Sequence, residues 1–311
     1  MSSASALASA QPAIRHSGPA EFALLTFLSV LWGSSFIAIK IAVDHGLPPL
    51  SLATLRIGIG AVILLGLAIA RKQRWPRGLK VWATLLLLGI IGNGLPFFLI
   101  SWGEQYTPSN LAAILMAVIP IFVVILAHLM THDEKLSFGK SIGVALAFIG
   151  IIVLVGVDAL HGLGSAVIGQ LAILAACVSY SFQGPIARRL PLIGAEMTTG
   201  VILLLAFLCL LPFWLIHDQP WQMRIATPSL LATIWLGFIS TAAGNLLYYL
   251  VLRRAGAGFA SFNNYLVPLM GIAWGYLWLG EKPGWNAFAG LVLILGGLAC
   301  ARFLKRPRPA S

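Results

Sequence analysis

Thirteen polar or aromatic residues lie inside long apolar runs, where neither type is needed to fill space. Ser34, Ser35, Asn93, Ser179, Gln183, Asn245 and Asn264 are polar; Trp32, Phe97, Tyr180, Tyr248, Tyr249 and Tyr265 are aromatic. A polar group facing lipid costs several kcal/mol, so these amides and hydroxyls are expected to face a protein interior or a cavity. Trp32 and Ser35 are three residues apart; Asn93 and Phe97, like Asn245 and Tyr249, are four apart. At helical spacing each pair shares a face. A face with one hydrogen-bonding group and one ring suits an amphipathic solute. An amino-acid zwitterion fits: amides and exposed helix N–H groups take the carboxylate, and rings take the ammonium by cation–π attraction. The expected substrate-binding set is Trp32, Ser35, Asn93, Phe97, Tyr180, Gln183, Asn245, Tyr249, Asn264 and Tyr265. The alternative use of such residues is to bond helices to one another, at about 0.6–2 kcal/mol each. The cavity rests on the set and not on any member.

Four further residues have mechanical or electrostatic uses. Pro120 and Pro268 each remove an intrahelical hydrogen bond and are expected to act as hinges. Lys40 and Arg56 flank one short turn and are expected to snorkel to the outer mouth, where they would attract anionic groups. The nine acids (Glu21, Asp44, Glu104, Asp133, Glu134, Asp158, Glu196, Asp218, Glu281) all fall in turns or within about a turn of a helix end. Proton-coupled carriers usually set a titratable group along the membrane pathway. Its apparent absence at the midplane predicts a facilitator.

The elements that must hold these residues are membrane helices. Of 311 residues 59% are hydrophobic and only 9% charged, with mean hydropathy +0.94. Soluble domains carry roughly a quarter charged residues. The continuous runs suit helices of about 20 residues and not the alternating strands of a barrel. Ten runs are expected: 21–43, 50–70, 80–102, 108–130, 138–156, 165–186, 194–216, 228–252, 257–279 and 284–303. Turn chemistry separates them, as in His45-Gly46-Leu47-Pro48-Pro49 and Lys282-Pro283-Gly284. The net charge of +11 is spread between runs and not along one face, which argues against nucleic acid. Cys177, Cys209 and Cys300 have no metal or disulfide spacing, and no metal or cofactor is expected.

Lys and Arg mark the side. With the N-terminus cytoplasmic, 16 fall on inner segments and 3 (Lys40, Arg224, Lys282) on outer ones, which puts both termini inside an inner membrane. Residues 1–19 are expected as a disordered cytoplasmic tail and 305–311 as a second tail. The chain between divides into 20–160 and 161–304. Gly89 to Pro120 spans the same 31 positions as Gly237 to Pro268, and Glu134-Lys135 answers Glu281-Lys282, with Gly143 and Gly290 following. Each half is therefore a copy of one five-helix unit. An odd helix number makes the second copy enter from the opposite side. The expected fold is an all-α membrane protein: ten transmembrane helices as two inverted five-helix repeats around a central cavity.

Trp32-Gly33-Ser34-Ser35-Phe36, then Lys40, Pro49 and Arg56, with the two Pro…Glu-Lys…Gly blocks, resembles EamA-type proteins of the drug/metabolite transporter superfamily. The resemblance spans roughly 21–303. It implies a secondary transporter that exports small metabolites, resembling the branch that exports amino acids, aromatic ones included. In the second half Tyr180-Ser181-Phe182-Gln183-Gly184 stands in place of the opening signature, so the halves are expected to give the solute different side chains. A proton-coupled multidrug or organic-cation exporter is the alternative. An intramembrane enzyme would need paired mid-membrane acids, a Ser/His dyad or a metal cluster, and none is present. The expected partners are a small-molecule substrate and the bilayer, with the chain a monomer or weak homodimer.

Overall fold

Proline and glycine punctuate the helices as their backbone chemistry requires. The computed structural model describes residues 18–130, 137–159, 164–188, 190–191 and 194–303. α1 (Pro19–Asp44) and α2 (Pro49–Ala70) each begin with proline in the first turn, where an N–H would have no partner. Between them Gly46 (φ +83°) lets the chain turn back: Gly46 N donates to the Val43 carbonyl and Leu47 N to the Ala42 carbonyl, a Schellman pattern closed by buried Leu47.

α3 (Leu79–Gly89) runs through a π turn (Ile90–Gly94) into α4 (Leu95–Gly103). α5 (Ser109–Met116) and α6 (Ile119–Met130) form one crossing broken at Ala117–Val118. α7 (Phe138–Ala159) is followed by α8 (Ser165–Ser181) with the short α9 (Gln183–Ala187), then α10 (Ala195–Phe213), which ends in a π turn (Trp214–Asp218). α11 (Thr227–Ile234) passes through a longer π segment (Trp235–Ala243) into α12 (Gly244–Ala260), which breaks at Gly256 (φ +81°). α13 (Asn263–Leu279) and α14 (Trp285–Phe303) complete the chain. Among the described residues all regular structure is helical, and nine helices are long and apolar enough to cross a membrane. The ninth expected run starts at Asn263 and not at 257. Gly256 interrupts the preceding helix, and the residues after it extend α12. At 17 residues α13 is about 26 Å long. Residues 1–17 of the first tail, the whole second tail, Asp133 and the Glu134-Lys135 pair lie outside the described residues, while Gly18 and Pro19 already open α1.

Close packing falls at small residues. α7 meets α14 at two crossed glycine pairs: a Cβ on Gly297 would sit 2.5 Å from the Gly143 carbonyl, and one on Gly150 would sit 2.9 Å from the Gly290 carbonyl. Gly143 with Gly297 and Gly150 with Gly290 is an antiparallel order. α2 and α10 are likewise antiparallel, pairing Gly58 with Phe207, Gly60 with Leu203 and Leu65 with Gly200. α1 packs on α13 through Gly33, where a Cβ would meet Met270 Cβ at 2.6 Å. Small-residue seams let backbones approach where lipid supplies no hydrophobic drive between helices.

Candidate functional site

Two of the three π segments among the described residues, a first at Ile90–Gly94 and a second at Trp235–Ala243, set the site. Gly89 and Gly237 are 148 residues apart; the first π turn starts right after Gly89, and the second contains Gly237 and covers the equivalent positions 238–242. A π turn leaves carbonyls off the regular ladder, and such turns often mark functional sites. Both receive a side chain from a helix of the other half. Trp32 Nε1 on α1 donates to the Ser240 carbonyl at 3.1 Å, and Ser179 Oγ on α8 donates to the Ile91 carbonyl at 2.7 Å. Trp235 Nε1 adds a bond to Ser34 Oγ at 2.9 Å.

Around these crossings several expected residues converge. Trp32 stacks on Tyr248 with centroids 5.5 Å apart, and Tyr248 meets Tyr249 edge-on at 6.4 Å. Asn245 Nδ2 donates to the Thr241 carbonyl at 2.6 Å. Gln183 packs on Gly92, whose added Cβ would lie 2.9 Å from its amide nitrogen. Asn93 is buried, and Ser35, Phe97, Tyr180, Gln183 and Tyr249 are half-buried.

Arg56 corrects an expectation. It does not snorkel: it is 5% exposed, its guanidinium lies 3.9 Å over the Phe97 ring, and its Nη2 donates to Thr241 Oγ1 at 3.3 Å. Tyr180 and Glu104 are the charged or ionisable groups whose fields reach it. Arg56 lies seven residues inside α2, about 10 Å from its start. At that depth the flanking helices offer a ring and a hydroxyl, and the side chain turns to them. Nε has no hydrogen-bond partner among the described residues. A cation over a ring is stabilised by roughly 2 kcal/mol when dry, which falls short of the charge's desolvation penalty of several kcal/mol. An anion in this place would be bound strongly.

Lys40 is also engaged. It pairs with Asp44 at 2.9 Å and donates to the Glu104 carbonyl at 3.0 Å, tying α1 to the end of α4. Asn264 and Tyr265 stand apart from the Arg56 cluster. Tyr265 packs against the core that includes Leu111–Leu115 and Ile294, its ring 6.2 Å from Phe262, beside Arg302. The neighbouring Asn263 is the one that joins α1, accepting from Ser29 Oγ at 2.8 Å. The prolines differ from each other too. Pro120 restarts a helix after the Ala117–Val118 break, whereas Pro268 sits inside the unbroken α13.

Two contributors escaped the sequence. Thr241 carries the Arg56 and Asn245 contacts; it stands 148 residues after Asn93, so the repeat spacing alone marks it. Glu104 stands at a helix end, where a carboxylate is expected to meet water, yet it is 0% exposed. Among the described residues no three His, Cys, Asp or Glu side chains converge as a metal site.

The EamA-like transporter family model matches residues 21–156 and again 167–303. The chain belongs to the EamA-like transporter family. Relatives of this family member include a protein of Streptantibioticus cattleyicolor named a probable terminal-alkyne amino-acid exporter. It is 29% identical over 294 residues, covering 92% of this chain and 95% of its own. A probable amino-acid metabolite efflux pump of Escherichia coli is 28% identical over 299 residues, covering 92% and 96%. A solved crystal structure shares the fold at TM-score 0.63 and 20% identity, covering 90% of this chain and 96% of that one. The chain is thus a multi-pass membrane transporter built from two EamA copies.

Proposed function

We propose that this protein exports small carboxylated metabolites, foremost amino acids with aromatic or hydrophobic side chains, by alternating access as a facilitator. The observation that carries this is Arg56: a buried guanidinium without an ion-pair partner among the described residues, set among Phe97, Tyr180, Thr241 and Asn245. Arg56 takes the substrate carboxylate through its unused nitrogens, and Trp32, Tyr248 and Tyr249 receive the ammonium and the apolar body. The names of the Streptantibioticus and Escherichia relatives support an amino-acid solute.

Ten spans arranged as an inverted repeat suit this work. Support comes from the antiparallel, position-swapped glycine pairs of α7 with α14 and from the π segments Ile90–Gly94 and Trp235–Ala243, which overlap when the halves are offset by 148 residues. The site lies where the halves meet, in a central cavity, in an inner-membrane protein with both termini cytoplasmic and working as a monomer or weak homodimer. Pro120 and Pro268 bend their helices as each side opens, and Lys40 guards the outer mouth.

The buried Glu104 favours a second reading, a proton-coupled exporter of organic cations. Lys40 and Arg56 both lie near that carboxylate and oppose a cation there. Counterflow in proteoliposomes decides between them. Labelled phenylalanine or leucine should exchange against its unlabelled self and a quaternary ammonium ion should not; the converse result would replace the proposal.

A further inference from the structure

At the end of the bundle away from Pro19 and Phe303, one carboxylate acts as a latch and another is left dry. The loop after α13 sends Glu281 to the start of α5. Its Oε1 accepts from Ser109 N at 2.8 Å, and its Oε2 from Ser109 Oγ and Asn110 N, each at 2.9 Å. These three bonds cap α5 and tie the second EamA copy to the first. Trp214 Nε1 to Ser51 Oγ at 2.8 Å and Ser51 Oγ to Asp218 at 2.6 Å make a second tie between the copies at this end.

Glu104 sits behind the latch, one residue past Gly103. It is 0% exposed, and neither carboxylate oxygen has a hydrogen-bond partner among the described residues. The Thr107 hydroxyl three residues on is equally buried and unpartnered. The charged groups facing Glu104 are Lys40 and Asp44 from α1, Arg56 from α2 and Glu281 from the latch. Lys40 is occupied by Asp44 and by the Glu104 backbone carbonyl. α8 packs on Gly103 through Gly169 and Ile173, neither of which titrates. An ionised carboxylate sealed here would be unsolvated and would repel Glu281. A dry carboxyl without a donor takes up a proton instead.

We propose that Glu104 is a proton-binding site that keeps this end of the bundle shut: it holds a proton while the Glu281 latch is formed and releases it to the medium when the latch parts and water enters. The proton comes from and returns to the same side. Opening therefore depends on the pH of that compartment, while no proton crosses the membrane. The shut form binds one proton more than the open form, so raising the pH favours opening, by up to about tenfold per pH unit.

The site needs no substrate to be tested, so its failure is separable from that of the transport reading. Leu111, buried beside the latch, is changed to Cys after Cys177, Cys209 and Cys300 are replaced by Ala. Labelling by a membrane-impermeant maleimide, corrected for the reagent's own pH dependence with a free thiol, is followed from about pH 5 to about pH 8. Labelling should rise with pH on the latch side alone and become independent of pH with Glu104→Gln. A flat or falling profile in the parent, or an unchanged slope in E104Q, overturns the proposal. If E104Q does not accumulate, the parent is tested in vesicles with each side titrated in turn. Dependence on the far side, or a change in lumenal pH during turnover, then overturns it.

Discussion

Replacing Arg56 by Met should separate recognition of a carboxylate from holding the bundle together. If the guanidinium receives the substrate carboxylate, the variant loses a charge-assisted interaction of about 1.5–3 kcal/mol, or roughly 10- to 150-fold in affinity. The loss should fall on amino acids and spare the matching amines, which lack the carboxylate. Stability should move the other way from that of an ordinary buried-residue deletion. Arg56 has one long hydrogen bond, to Thr241 at 3.3 Å, and one ring contact, to Phe97 at 3.9 Å. It forms no ion pair among the described residues, so Met strands no buried partner charge within salt-bridge reach, and a flexible thioether can still fill the space over Phe97. The thermal midpoint in detergent should therefore hold or rise. Counterflow of labelled phenylalanine, with phenethylamine as the control solute, gives the affinities. An unchanged KM for phenylalanine together with a lower thermal midpoint would refute the reasoning and make Arg56 structural.

Other perturbations have definite signs. Gly290→Val should disrupt α7 against α14, because even a Cβ there lies 3.0 Å from the Gly150 carbonyl; a loss of about 1–3 kcal/mol is expected, read as a lower thermal midpoint. Glu281→Gln should weaken three bonds at the start of α5 and raise labelling of the L111C reporter at low pH, with a stability loss of about 0.5–2 kcal/mol. Pro120→Ala should slow turnover more than Pro268→Ala, since only Pro120 adjoins a broken helix; equal and normal rates in both would remove the hinge.

The helices were legible in the sequence because lipid imposes length and hydropathy on every crossing, and proline and glycine mark the turns. The exception is instructive: Arg253, Arg254 and Gly256 separate the expected runs 228–252 and 257–279, yet the chain resumes helix after the Gly256 kink as far as Ala260 and the next helix starts only at Asn263, a backbone detail that hydropathy does not register. The polar set was found by the same logic, and Trp32, Asn93, Phe97, Tyr180, Gln183 and Asn245 lie about the two π segments. Distance from a helix end misled in both directions. Arg56 is near enough to an end to snorkel, but Phe97 and Thr241 come from crossings far away in sequence and hold it inside. Glu104 is at an end, yet it is fully buried: Lys40 of α1 binds its backbone carbonyl and α8 packs on the adjacent Gly103. Which helix end is sealed is a property of tertiary packing, and one sequence does not carry it.

The π segments make a last, ordered prediction. Gly92 and Gly244 each leave room for a side chain from the other half: an added Cβ would stand 2.9 Å from the Gln183 amide nitrogen at Gly92, and would collide with Trp32 Nε1 at Gly244. The two neighbours differ in freedom. Gln183 meets Gly92 with the far end of a flexible side chain, so a small rotation relieves Gly92→Ala. The indole of Trp32 is fixed twice, by its bond to the Ser240 carbonyl and by its stack on Tyr248. To admit Gly244→Ala it must give up the bond, worth about 0.5–1.5 kcal/mol, and part of the stack, worth a similar amount. Gly244→Ala should therefore impair counterflow by about tenfold or more, and Gly92→Ala by a few-fold at most. A second substitution, Trp32→Phe, should recover part of the loss in G244A by removing the colliding nitrogen, while leaving G92A unaffected. The reverse order, or no recovery, would mean that the crossing of α1 with the second π segment is not where the substrate is held.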